Sequence, residues 1–225
     1  MNPIIKILIF ADVFLFSGLG FMTPILAIFI KDNLPGGSIA AAGIASTVYL
    51  VTKAVLQIPL ARWMDREPAN VREFWTMIFG YLVVALIPFG YLVIRNVQDL
   101  YLLQVLHGIG AAIGYPGFMA IFTKFADHEK AAMSWSTYST SVIIGMAITA
   151  AAGGWLGEAY GFATVFVVVG LFAALSFFST LGLFLFYDQM KTNHPDKGKS
   201  FRERLASALR SQKHPIVPPG KLDIK

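Results

Sequence analysis

The sequence predicts an all-α membrane protein whose six transmembrane helices form a bundle of two sets of three. Three observations support this fold class. Hydrophobic residues make up 56% of the 225 residues and charged residues only 14%, whereas a soluble domain carries about a quarter charged residues. The mean hydropathy is +0.64. Apolar runs of about twenty residues, the length that crosses a ~30 Å hydrocarbon core, recur along the chain.

The first apolar run follows Lys6 and covers about Ile7–Ile30. It is longer than the apolar core of a signal peptide, about 7–15 residues, and no small-residue cleavage site follows it. We therefore interpret it as a retained span. The other spans are predicted at Ser38–Ala61, Phe74–Ile94, Leu100–Phe122, Ala131–Leu156 and Ala163–Tyr187. Residues 1–187 thus form the six-helix bundle.

Residues 188–225 are predicted to be a basic cytoplasmic tail. Ser200 and Glu203 form a capping box, and Phe201, Leu205 and Leu209 lie on one helical face. A short amphipathic helix is therefore expected at about residues 200–212. It either lies on anionic lipid headgroups or docks a partner protein.

The distribution of positive charge predicts the orientation. With the N-terminus in the cytoplasm, only Lys31 and Arg95 of the 18 Lys and Arg residues fall on the opposite side, and Lys53 lies inside the second span. The positive-inside rule therefore places both termini in the cytoplasm of a multi-pass protein of the inner cell membrane. The net charge of +5 thus reflects topology, and a nucleic-acid partner is not expected.

Polar side chains on one face predict which spans meet protein or water. The second span carries Ser46, Tyr49, Lys53 and Gln57 at helical spacing, and the fourth carries Gln104, His107, Ala111 and Tyr115. The fifth has a stripe of mostly small residues, namely Ser134, Tyr138, Ser141, Gly145 and Thr149. Together with the first span, these spans should line a cavity or an interface, while the third and sixth face lipid.

Asp12 and Lys53 are charges at membrane depth, near the same membrane surface. An isolated charge there costs ~3 kcal/mol or more, so pairing or access to water is expected. We interpret them as a proton- or substrate-responsive pair; alternatively Asp12 lies at the interface and Lys53 snorkels. His107 is either a helix–helix hydrogen bonder or a proton site. The predicted substrate and proton pathway comprises Asp12, Lys53, Gln57, Gln104, His107, Tyr115 and Tyr138.

No catalytic motif is recognisable, so an enzyme is not predicted. The sequence has no glycine-rich phosphate loop, His–Glu metal pair or Ser/His/Asp constellation. Its lack of cysteine excludes thiol chemistry. No metal or cofactor is implied.

Four motifs carry a resemblance to the major facilitator superfamily over about residues 5–212. Ala61-Arg-Trp-Met-Asp65-Arg66 resembles the family's Gly-x-x-x-Asp-Arg-x-Gly loop, with Ala61 and Pro68 in place of the glycines. Gln104-Val-Leu-His107-Gly108 stands where the family has Arg-x-x-Gln-Gly, without the Arg linked to proton coupling. The run from Gly145 to Gly154 is similar to the antiporter signature, keeping Gly145, Gly153 and Gly154 but with Thr149 for a Gly and no Pro. Gly20-Phe-Met-Thr-Pro24 resembles a drug-exporter pattern.

The chain thus resembles the N-terminal half of such a transporter. The resemblance implies two six-span bundles that rock around a midplane site. With both termini on one side, a two-fold axis along the membrane normal could relate two copies of the chain. By analogy, Asp65 and Arg66 form a gating loop in which Asp65 caps the partner's fifth span, while Gly145, Thr149, Gly153 and Gly154 serve helix packing.

The function expected from this resemblance is a half-size secondary active transporter that exports small organic compounds as a homodimer in the lipid bilayer. Proton coupling would use Asp12, Lys53 or His107, although the missing Arg is equally compatible with uniport. Three alternatives remain open: a heterodimer with another six-span chain, a non-transporting assembly or sensor module, and a truncation of a longer gene.

Overall fold

The computed structural model describes residues 2–66, 71–127 and 129–187, and these residues are almost entirely helical. The helices are α1 (Pro3–Met22), α2 (Leu26–Asn33), α3 (Ile39–Met64), α4 (Val71–Gly90), α5 (Val97–Phe125), α6 (Ala131–Tyr160) and α7 (Phe162–Leu181), which continues as a 3-10 turn (Gly182–Phe186). They belong to one compact unit, Met1–Lys191. The predicted tail helix at about residues 200–212 lies outside the described residues.

Six of these helices are long and apolar enough to cross a membrane, which confirms the predicted number of spans. They are α1, α3, α4, α5, α6 and α7 with its 3-10 turn. α5 and α6 contain 29 and 30 residues, or about 44 Å of helix at 1.5 Å per residue. Because the hydrocarbon core is only ~30 Å thick, these helices must tilt or extend beyond it.

The first span ends earlier than the sequence predicted. α1 stops at Met22 and α2 begins at Leu26, so a continuous helix to Ile30 was wrong. Pro24 has no N–H and cannot continue the helical hydrogen bonds. The Gly20 carbonyl instead accepts a turn bond from the Thr23 amide at 3.3 Å.

Side-chain caps fix where three helices start. Asn2 Oδ1, Ser38 Oγ and Asn96 Oδ1 accept hydrogen bonds of 2.9, 3.0 and 2.9 Å from backbone amides in the first turns of α1, α3 and α5. These bonds satisfy donors that a helix start otherwise leaves unpaired. At the junction of α6 and α7, Gly161 has φ of 83°, which glycine adopts without steric cost. A single residue therefore joins these two spans.

The spanning helices pack side by side in the order α3, α5, α4, α7, α1 and α6. α3 packs chiefly on α5, and α6 chiefly on α1, so both are end helices. Only 11% of the most apolar stretch of α3 and 17% of that of α6 are buried, against 50% for α4. The end helices therefore leave most of their apolar surface uncovered by the rest of the chain.

Two apolar clusters hold the bundle together, one toward each end of the helices. The cluster near the N-terminus contains Leu8, Phe74, Phe118, Phe122 and Leu183. The opposite cluster contains Phe29, Ile30, Leu100, Val165 and Phe166. In lipid these side chains stabilise the bundle by close packing rather than by escape from water. Asp12 lies between the two clusters along α1, and His107 and Tyr115 lie between them along α5.

Candidate functional site

A cavity of about 100 Å³ lies between α1, α3, α4 and α5. Its polar lining comes from all four helices and comprises Asp12, Tyr49, Lys53, Tyr81, His107 and Tyr115. Four of these, Asp12, Lys53, His107 and Tyr115, are predicted pathway residues. The structure therefore brings most of the predicted pathway to one place.

A close crossing of α4 and α5 shapes this cavity. A Cβ added at Gly80 would run into the backbone of Gly114, so the two backbones touch where both residues are glycine. Both glycines line the cavity wall. The crossing carries Tyr81, the residue after Gly80, to the centre of the bundle.

Asp12 is the buried polar centre of the site, with 3% of its surface exposed. The Tyr81 hydroxyl of α4 donates to Asp12 Oδ1. The Tyr138 hydroxyl of α6 donates to Oδ2 at 2.7 Å. A buried carboxylate needs such partners because burial without them is costly. One side chain of α1 is thereby bonded to both α4 and α6.

Lys53 meets an aromatic ring rather than Asp12. Its Nζ lies 4.6 Å from the ring centroid of Tyr115, a cation–π contact. The ion pair Lys31–Asp32 does not involve Lys53, and no ion pair between Lys53 and Asp12 is present in the described part of the chain. Asp12 and Lys53 therefore form no direct ion pair, although both line the same cavity. Their role as a proton- or substrate-responsive pair stays a prediction. The ring centroids of His107 and Tyr49 lie 4.4 Å apart, and both residues line this cavity.

The two predicted glutamines lie away from this cavity. Gln104 is buried and its Nε2 donates to the Tyr91 hydroxyl at 2.8 Å. Gln104 lines a second cavity of about 360 Å³ toward α2, which Tyr49 and His107 also line. Gln57 is half-buried on α3 and lines neither cavity. Tyr49 and His107 thus form the wall between the two cavities.

The predicted packing stripe of α6 contacts α1 of the same chain. A Cβ added at Gly145 would run into Ser17, and one at Gly153 would run into the Phe21 carbonyl. Thr149 is buried beside Gly20. At Gly154, by contrast, an added Cβ would find no atom within 4 Å. Gly145, Thr149 and Gly153 therefore lie in an internal helix crossing, and Gly154 does not.

The predicted gating residues Asp65 and Arg66 lie at the end of α3, and both are exposed. The Asp65 amide still bonds to the Ala61 carbonyl at 3.0 Å. Residues 67–70, which follow, are outside the described ranges. The gating role stays a prediction.

Sequence reasoning missed Tyr81 and Tyr91. Both belong to the third span, which was expected to face lipid because its polar residues show no periodicity. A single tyrosine in an apolar span gives no periodic signal. The adjacent Gly80 was the one local indication that α4 approaches another helix closely.

Comparison with known proteins gives matches to a family model, to curated proteins and to solved structures. A family model described as the Major Facilitator Superfamily matches residues 8–219. The multi-drug resistance efflux pump PmrA from two strains of Streptococcus pneumoniae is 27% identical over 170 residues, which cover 73% of this chain and 41% of the pump. The chain therefore spans less than half the length of these curated relatives.

The crystal structure of the POT family transporter PepTSo superposes with a TM-score of 0.69 at 14% identity. The match covers 99% of this chain and 44% of that one. At this identity the likeness concerns the fold alone.

Proposed function

Because this chain belongs to the major facilitator superfamily, we propose that it forms one six-span body of a secondary transporter for small organic compounds. The observation that carries the proposal is the cavity between α1, α3, α4 and α5, which Asp12 and Lys53 line within helices long and apolar enough to cross a membrane. Ionisable groups inside a membrane are costly, and they typically mark a substrate or ion pathway. In this proposal both termini face the cytoplasm, as the distribution of Lys and Arg favours.

A second six-span body completes the transporter in this proposal, and we propose that it is a second copy of the chain. The uncovered apolar surfaces of the end helices α3 and α6 support this. Val55 on α3 and Ile148 on α6 are 64% and 65% exposed. The relatives are more than twice as long as the aligned region, a length that accommodates two such bodies. Two parallel copies around an axis along the membrane normal would cover both surfaces.

Export coupled to protons is the proposed mode of transport, with Asp12 as the proton acceptor. Its carboxylate joins α1 to α4 and α6 through two hydroxyl donors. Protonation would remove the charge that strengthens both bonds, since hydrogen bonds to ionised groups are about twice as strong as neutral ones. The packing of these three helices would then respond to the proton. We propose export because the curated relatives are efflux pumps. Asp65 and Arg66 are proposed to act at the gate.

Transport in membrane vesicles with an imposed pH gradient tests this proposal. Inside-out vesicles that contain the full chain should accumulate a panel of fluorescent aromatic compounds only when the gradient is present. Asp12→Asn should abolish this accumulation, whereas Asp32→Asn, at an exposed ion pair of α2, should not change it. Vesicles that move no compound would refute the transporter. Accumulation that is unchanged by Asp12→Asn would refute only the proton role.

A further inference from the structure

The carboxylate in the cavity wall, Asp12, lines the cavity but is almost wholly buried. Each carboxylate oxygen of Asp12 already accepts a tyrosine hydroxyl, and only 3% of the residue is exposed. A cationic ligand would have to compete with Tyr81 and Tyr138 for a carboxylate that is almost wholly buried. Asp12, which would ordinarily attract organic cations, is therefore already hydrogen-bonded to side chains of its own chain.

The positive charge, in contrast, faces the cavity. Lys53 is half-buried, and it has no ion-pair partner among the described residues. The Tyr115 ring below its ammonium group accepts no conventional hydrogen bond, so the three N–H donors of the ammonium remain available. A cation at membrane depth is stabilised by an anion beside it.

The remaining wall is suited to a flat apolar body. Phe16, Tyr49 and Tyr115 contribute aromatic rings, and Leu15 and Leu19 contribute aliphatic surface. Aromatic rings favour stacked or edge-on contact with another ring. The cavity thus combines one accessible cation with an aromatic and aliphatic lining.

We infer that the cavity selects amphipathic organic anions, compounds with an aromatic body and one acidic group, and that Lys53 binds the acidic group. This inference rests on the proposed transport function and narrows it to one class of substrate. An organic cation in the same place would lie beside a like charge and would lack a free carboxylate. If a second copy completes the cavity, a second Lys53 adds to the same preference.

Binding of two probes with the same ring and opposite charge tests the inference. The full chain is reconstituted in nanodiscs, and equilibrium binding of radiolabelled 1-naphthoate is compared with that of 1-naphthylmethylammonium. Wild-type protein should bind naphthoate more than about tenfold more tightly, as expected for one desolvated charge contact. Lys53→Gln should remove this preference, Lys53→Glu should reverse it, and Lys53→Arg should keep it. Lys31→Gln, at an exposed lysine outside the cavity, is the matched control.

Two results would overturn the anion preference. One is equal affinity of wild-type protein for the two probes, and the other is a preference that Lys53→Gln leaves unchanged. Vesicle transport of organic cations alone would also overturn it, while the proposed transport function would stand. If the chain neither binds nor moves a compound of either charge, both the function and the substrate class fail.

Discussion

At the scale of single residues, Asp12 shows how a carboxylate is held inside an apolar bundle without a cation. Placing it at membrane depth costs ~3 kcal/mol or more. Each hydrogen bond to a charged group returns about 1.5–3 kcal/mol, and Asp12 accepts one from Tyr81 and one from Tyr138. Two such bonds are large enough to offset the cost. Lys53 is therefore not needed as a counter-ion.

Replacing either tyrosine by phenylalanine should destabilise the bundle. Tyr81→Phe and Tyr138→Phe each remove one donor to a buried carboxylate, and we expect each to lower the free energy of unfolding by about 1.5–3 kcal/mol. SDS-induced unfolding in mixed micelles measures this change. Tyr101→Phe, at a half-buried tyrosine of α5, is the control and should have little effect. If Tyr81→Phe behaved like the control, Asp12 would not depend on this hydroxyl.

Residue periodicity predicted part of this site and could not predict the rest. Lys53, His107 and Tyr115 reach the cavity on the polar faces that the sequence indicated. The contact of Asp12 with Tyr81 depends instead on where α4 crosses α5, and the close approach of Gly80 to Gly114 determines that position. Such a crossing joins distant parts of the chain, and no pattern within one span encodes it.

At the scale of helices, close backbone approach decides which pairs pack. Lipid tails are as apolar as the side chains, so small residues that admit a neighbouring backbone are a main source of helix association. α6 uses Gly145 and Gly153 in this way against α1. The motif that the sequence associated with packing therefore stabilises a single six-span body.

Adjacent glycines of α6 should respond in opposite ways to the same substitution. Gly153→Ala drives a methyl group into the Phe21 carbonyl region of α1, and overpacking of this kind typically costs about 1–3 kcal/mol. Gly154→Ala meets open space and should stabilise the helix by up to about 1 kcal/mol, because alanine is the better helix former. Thermal unfolding of both variants in detergent measures the difference. Equal effects would show that this crossing is not tightly packed.

The break after α1 shows the limit of reading helices from composition. The sequence stays apolar past Pro24, yet the helix ends at Met22. Pro59, Pro88 and Pro116, in contrast, lie inside continuous helices. A proline alone therefore does not predict a break, because neighbouring structure can accommodate the lost hydrogen bond. The number of spans was predictable and confirmed; this boundary was not.

At the scale of the whole molecule, the two end helices are the surfaces that another body would cover. Val55 on α3 and Ile148 on α6 are exposed in the isolated chain, as is Phe178 on α7. In the proposed homodimer the first two lie at the interface, whereas Phe178 faces lipid. The exposed fraction of a side chain does not distinguish an interface from a lipid-facing surface, but its proximity to a second chain does.

Cysteine cross-linking in membranes should distinguish the interface from the lipid-facing surface. Because the chain has no native cysteine, Val55→Cys, Ile148→Cys and Phe178→Cys each introduce a single thiol. When the Val55→Cys and Ile148→Cys chains are mixed in one membrane, we expect a short bifunctional maleimide to join them into a species of twice the 24.6 kDa chain mass, because the two-fold axis sets α3 of one copy against α6 of the other. Phe178→Cys should stay monomeric. Cross-links to a chain of another mass would indicate a heterodimer and refute the homodimer. Cross-linking at Phe178 alone would contradict the proposed interface.

The Asp12 contacts also provide a route for communication across the bundle. α6 packs chiefly on α1 and α4 chiefly on α5, yet Tyr138 and Tyr81 hold opposite oxygens of one carboxyl group. Protonation of that carboxyl group would therefore change a hydrogen bond to α4, a helix of the cavity wall, and at the same time one to α6, an end helix. In the proposed transporter, the state of the cavity would reach the partner body through two hydroxyl groups, both carried by tyrosines of the apolar cluster near the N-terminus or packed against it.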